Sequence, residues 1–238
     1  MNMNSNSNSL PFIYNEDTHP NQIRDDVVHI QIQEGVTEIP PDAFRCREHL
    51  TRVEIPETVT TIGARAFSRC HALLSLDLPN YLTSVGSEAF VLSGLTEIDI
   101  PDSVTLIDHS AFLGCESLRR IRFSANENLE MRSNVCASCP SLSEADIPNG
   151  LQSIPDNFVD GCTSLVSINI PNSVVEIGEY AFRNCTSLAE VVLPGNLVNI
   201  KSNAFIRCRG LQSIHIPDSV TRIGRQAFGE CTNLAIIG

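Results

Sequence analysis

Apolar positions along this chain follow two spacings in turn, and the alternation recurs roughly every 23 residues. In the stretch 211–217, Leu-Gln-Ser-Ile-His-Ile-Pro, the apolar Ile214 and Ile216 alternate with the polar Ser213 and His215, which is the period of a strand. Pro217 then ends it, because proline has no N–H for a ladder and its fixed φ turns the chain aside. Val220 and Ile223 follow at a spacing of three, and then Gly224, Ala227, Phe228 and Cys231. That second pattern predicts a short helical or 3-10 turn that drops the phenylalanine into a core.

The same cassette can be laid over most of the chain. Its phenylalanine falls at Phe44, Phe67, Phe90, Phe112, Phe158, Phe182, Phe205 and Phe228, with Val135 in the one gap. A leucine recurs from Leu50 to Leu234, and a proline at Pro56, Pro79, Pro101, Pro148, Pro171, Pro194 and Pro217. No single unit of this size can bury its apolar face, so neighbours must stack to complete a core. The expected fold is an α/β solenoid of about nine coils over 27–238, with a long parallel sheet and short helical or 3-10 turns. Residues 1–26 open on an Asn/Ser tract and are expected to form a polar, disordered leader.

Three irregularities stand out against the repeat. The stretch 124–130 carries one extra residue and Ser124 in place of proline, which predicts a bulged loop. In that coil and the next, the ladder position arrives early: Val135 and Phe158 stand four residues after Met131 and Ile154 instead of five. Gly63, Gly86, Gly178 and Gly224 share one position with Pro40, Asp108 and Lys201. Proline requires a negative φ, so the glycines are expected to serve close packing or helix entry and not a left-handed backbone.

The consensus Leu-x-x-Ile-x-Ile-Pro-x-x-Val-x-x-Ile-Gly-x-x-Ala-Phe-x-x-Cys resembles the BspA-type leucine-rich repeat, with departures at Ser93, Ser124, Val135 and Pro155. The resemblance implies a right-handed leucine-rich solenoid that binds other proteins, and some members of that family are cell-surface adhesins. It implies nothing catalytic, because consensus positions are spent on packing and only variable ones can hold specificity.

Composition narrows the partner. A net charge of −12 without a basic stripe argues against nucleic acid, whose phosphates are bound by clustered Lys and Arg. No apolar run approaches 18 residues, so no membrane span is expected. The N-terminal tract has no positive start and reads as no signal peptide, which predicts a cytoplasmic protein, or an extracellular one if the chain is a piece of a longer precursor. Of nine cysteines, Cys70, Cys115, Cys139, Cys162, Cys185, Cys208 and Cys231 occupy one repeat position, three residues before the ladder leucine. That regularity predicts buried, reduced thiols acting as small apolar spacers instead of a disulfide framework.

The candidate site is what the cassette leaves free on the strand. Outward positions should line up in columns at about 5 Å, putting Glu54, Asp77, Glu97 and Asp99 in an acidic patch. Arg119, Arg120 and Arg122 should form a basic patch beside the bulged loop, with Asp146 next in the column. These residues are the expected contact with a protein partner of unknown identity, the competing reading being a solvated face whose charges prevent self-association. A calcium site is disfavoured because parallel strands rarely wrap an ion, and Cys136-x-x-Cys139 lacks the second ligand pair that zinc needs. There is no Gly-x-Ser-x-Gly, phosphate loop or His-Glu-x-x-His, although a triad is spatial and escapes motif reading. The expectation is a noncatalytic protein-interaction scaffold without cofactor; the alternative is an extracellular or cell-surface adhesin module. Leu234-Ala-Ile-Ile-Gly238 ends in mid-strand without a polar cap, which suggests self-association through that edge.

Overall fold

The computed structural model describes residues 10–123 and 125–237. Ser124, the tract 1–9 and Gly238, on which parts of the expectations above fall, lie outside them. The chain winds into a solenoid with two strand-bearing faces and a third face of turns. The first face carries His29–Ile32, Arg52–Glu54, Glu97–Asp99, Arg120–Arg122 and their successors to Ala235–Ile237, and the second carries two-residue strands from Glu38–Ile39 to Arg222–Ile223. All pairs are parallel and in repeat register, as in Ile30↔Val53, Ile98↔Ile121 and Ile62↔Val85. Alternation explains the strands: in Arg120–Arg122 the central Ile121 is buried, while Arg122 faces solvent.

The expected long sheet is divided. On the second face, pairing runs unbroken from Glu38–Ile39 to Glu130–Met131 and again from Ser153–Ile154 to Arg222–Ile223, with no bridge between the two runs. On the first face the breaks are more frequent.

The leader boundary moves. Phe12–Tyr14 is a strand paired with His29–Ile32, and Tyr14 and Ile23 are buried, Tyr14 with its ring edge-on to Phe44 at 5.1 Å. The solenoid therefore begins well before residue 27, and His29–Ile32 is an inner strand paired on both sides. The stretch 10–26 hid this because it lacks the cassette, supplying one apolar pair and a tyrosine in place of the phenylalanine.

The third face meets the expectation of short turns with an unforeseen backbone. Residues two before and two after the ladder phenylalanine adopt positive φ, as in Asp42 and Cys46, Arg65 and Arg69, and Tyr180 and Asn184. Alternate N–H groups close turns within the coil (Ala43 to Pro40 O, Arg45 to Asp42 O), and those between donate to the next coil (Asp42 to Ala64 O, Phe44 to Ala66 O, Cys46 to Ser68 O). These bonds satisfy the turn backbone without a regular helix. A Cβ on Gly63, Gly86, Gly178 or Gly224 would stand under 3 Å from backbone of the preceding coil, so close packing does account for those glycines.

The core is one cluster running the length of the solenoid. The phenylalanines of the ladder stack at 5.2–5.4 Å from Phe44 to Phe112, and at 4.9 and 5.3 Å from Phe182 to Phe228. Between the stacks the ladder reading needs correction. Positive φ at Asn134 and Ser138, and at Asn157 and Gly161, centres these coils on Cys136 and Val159, not on Val135 and Phe158. The hydrogen bonds agree: Cys136 N donates to Phe158 O, as Phe44 N donates to Ala66 O, placing Phe158 at the alanine position. Its ring instead meets Phe123, 5.8 Å away.

Candidate functional site

Because the consensus side chains are consumed by the core, chemistry is left to the outward positions of the first face. Around the strands Glu97–Asp99 and Arg120–Arg122 the two expected patches merge into one network. Arg120 donates to Glu97 Oε2 at 2.9 Å and to Asp99 Oδ1 at 3.0 Å, and Arg122 Nε lies 3.9 Å from Asp99. The Glu97 carboxylate, together with Asp99, holds the Arg120 guanidinium above its ordinary pKa. Sequence reading counted these charges by sign along a column; cross-strand register pairs them.

Glu54 is likewise engaged, by Arg52 at 2.7 Å and by His29 at 3.2 Å. Asp146 is exposed and lines a groove with Arg120, Arg122 and Glu144. Arg119 is exposed one position before its strand and does not line these grooves. Asp77 differs from Glu54, Glu97 and Asp99: its carboxylate is exposed and, like that of Asp146, has no hydrogen bond or ion pair among the described residues.

The backbone around Asp77 differs too. Among the described residues, 73–79 is the one repeat segment of the first face that forms no strand, although Leu76 and Leu78 alternate with Ser75 and Asp77 as a strand should. The backbone groups of Ser75, Leu76, Asp77 and Leu78 make no hydrogen bond, whereas Leu74 O at the start of the segment still accepts from Thr96 N. Grooves of about 560 and 570 Å³ open on either side, one walled by Arg52, Glu54 and Asp77, the other by Asp77, Glu97, Asp99 and Arg120 over a floor including Leu78, Ile100 and Phe123. Register explains the opening. Strands at normal spacing would set Asp77 about 5 Å from both Glu54 and Asp99. Each such contact costs about 0.8 kcal/mol even in water. A backbone hydrogen bond contributes only about 0.5–1.5 kcal/mol net, so two repulsions rival the bonds of one short strand.

Other constellations do less. Cys136 and Cys139 are both fully buried; Cys139 Sγ donates to Phe112 O, and burial pushes the Cys136 thiol well up. Among the described residues no group of three or more His, Cys, Asp or Glu is placed to hold a metal. His109 Nδ1 meets Ser133 Oγ at 2.8 Å on an exposed surface, but the neighbouring Asp108 carboxylate accepts the backbone N–H of His109 and does not orient its ring. A nucleophile–base–carboxylate chain is thus not assembled there.

The repeat pattern, the phenylalanine stacks and the parallel registers coincide with a match to the BspA type leucine rich repeat region, in six copies over 37–166 and 153–237. The chain belongs to that family. A leucine-rich repeat protein of T. pallidum is 28% identical over 88% of this chain and 77% of its own, with a TM-score of 0.54. One from Bacteroides ovatus is 26% identical over 87% and 77%, with a TM-score of 0.45. A leucine-rich cell surface protein of Faecalibacterium prausnitzii is 25% identical over 89% and 72%, with a TM-score of 0.47. No curated protein matches the chain. No helix of the described residues is long and apolar enough to cross a membrane.

Proposed function

We propose that this BspA-type solenoid is a noncatalytic scaffold that binds a protein partner through the outward side chains of its first face. The observation that carries the reading is the run of grooves along that face, which share walls at Ser75, Leu76 and Asp77 and again at Arg120 and Arg122. They hold seven of the eight residues singled out by sequence, all but Arg119. A surface of charged side chains fixed by a rigid core suits recognition of another protein, and the grooves along it are open to solvent and not enclosed. Thiols used as hydrogen-bond donors inside the core suit a reducing compartment, which supports action inside the cell.

The test is capture from native extract on the immobilised chain, compared with a variant carrying D77K, D99K and R122E together. A partner retained by the wild type should be lost by the variant, with circular dichroism unchanged. Retention of the same partner by both would move the contact off this face. Fractionation of the intact protein checks the compartment separately.

A further inference from the structure

The segment 73–79 combines an unpaired carboxylate, unbonded backbone on both sides, and a groove alongside lined by the apolar Leu76, Leu78, Ile100 and Phe123. Leu74, near its start, is 55% exposed. The first-face breaks near Ala145 and Val192 leave the flanking strands Glu144–Ala145 and Glu190–Val192 paired on their other sides; this segment is paired on neither. Its neighbours have drawn their charges away from it, Glu54 toward Arg52 and Asp99 toward Arg120, so of these three adjacent carboxylates Asp77 alone has no ion pair. The two grooves beside it carry five carboxylates, Asp102 included, against three guanidinium groups.

We infer that this segment is the specific recognition element of the first face, and that its partner is an extended polypeptide segment presenting one Lys or Arg side chain to Asp77 with apolar side chains on either side. The proposal rests on the interaction-scaffold reading and sharpens it to one coil and one chemistry. A cationic group at Asp77 replaces two like-charge contacts with opposite-charge ones, which a neutral or acidic segment cannot do. Leu76, Leu78, Ile100 and Phe123 line the groove beside Asp77, so apolar side chains flanking the cationic residue have a surface to meet. Removing the repulsion also lets the neighbouring coils approach, so binding should be accompanied by pairing of the segment with its neighbours.

The experiment uses the full chain and a heptapeptide of serines with leucine at each end and a single central arginine. Its counterparts carry glutamine or glutamate at the centre. Binding is read by fluorescence anisotropy at up to millimolar peptide, and amide hydrogen exchange is followed over 75–78. The arginine peptide should bind, the glutamine peptide about tenfold or more weakly, and the glutamate peptide not at all. D77N should weaken the arginine peptide by a similar factor. Without any peptide, D77N should also slow exchange of the 75–78 amides by about tenfold or more, since the strand can then pair.

Equal binding of the arginine and glutamine peptides, no binding of either, or amides in D77N that exchange as fast as in the wild type would each overturn the proposal. So would a saturable heat with calcium chloride that disappears in D77N, which would make this a cation site. A natural partner that binds wild type and D77N alike but is lost with D99K and R122E would leave the scaffold reading standing and remove only this one.

Discussion

At the scale of the residue, the cysteines do more than fill space. Their recurrence every coil announces a buried position, yet the structure adds a directed bond: Cys70 Sγ donates to Phe44 O at 3.2 Å, Cys162 to Cys136 O at 3.2 Å and Cys208 to Phe182 O at 3.0 Å. The carbonyls of Phe44 and Phe182 already accept a turn N–H, from Arg47 and Cys185, and the thiol adds a second donor from the core side, which a plain apolar spacer could not do. Burial raises Cys70 and Cys162 to about 12. In the unfolded chain these thiols ionise near 8.5, so the folded state retains protons that the unfolded state releases. Their contribution is intact below about pH 8.5 and falls away as pH rises toward 12. Urea titrations between pH 8 and 10 should therefore show falling stability, by up to about 1.4 kcal/mol per pH unit for each such thiol. C162A should lower stability near pH 7 by about 1–2 kcal/mol while flattening that slope, and a slope unchanged in the variant would refute the assignment. A thiol reagent applied to the native protein should label the exposed Cys46 first and the fully buried cysteines only on unfolding.

At the scale of the element, the swapped pair Phe158 and Val159 tests how the coil is built. Elsewhere the order is alanine then phenylalanine, as in Ala181 and Phe182; here the large side chain stands one residue early, and the phenylalanine stack is interrupted by Cys136 and Val159. V159F alone should overpack the core at a cost of about 1–3 kcal/mol. F158A alone should open a cavity and cost about 3–5 kcal/mol. Together they restore the common order, so the double variant should be less destabilised than the sum of the two by at least about 1 kcal/mol, measured by chemical denaturation. Strict additivity would mean that the two sites do not exchange roles. Sequence showed that the spacing was short in these coils but not which residue took the ladder place, because that depends on where positive φ falls. The left-handed positions were nearly invisible: Asn134, Asn157, Asn184, Asn203, Gly114 and Gly161 hint at them, whereas Arg65, Leu92 and Tyr180 belong to types that rarely adopt positive φ. Inter-coil hydrogen bonding overrides local preference there.

At the scale of the molecule, the repeat made the architecture legible while the exceptions needed the structure. Ladders of Ile, Leu, Phe and Pro define the period; the missing strand at 73–79 could not be seen, because its sequence alternates as well as any and its failure lies in the carboxylates on either side. The division into two runs has the same character. Between Met131 and Ser153 the second-face ladder stops, the first face is unpaired between Ala145 and Ser167, and the phenylalanine stack is broken, all at one level of the solenoid. What still crosses is the turn face, through Asn134 N to Asp156 O, Cys136 N to Phe158 O and Ser138 N to Asp160 O, together with the shared core. In a stack whose stability is a sum of unit and nearest-neighbour terms, the weakest interface sets where cooperativity breaks. Native-state hydrogen exchange should then resolve two units that meet between residues 131 and 153. F205A should lower protection over 153–237 and leave the amides of 39–107 close to wild type, and F67A should do the reverse. Each substitution costs about 3–5 kcal/mol locally, enough for the difference to be measured amide by amide. If either one lowers protection evenly from end to end, the turn-face bonds and the core suffice to couple the whole solenoid, and the interruption of both sheets carries no energetic boundary.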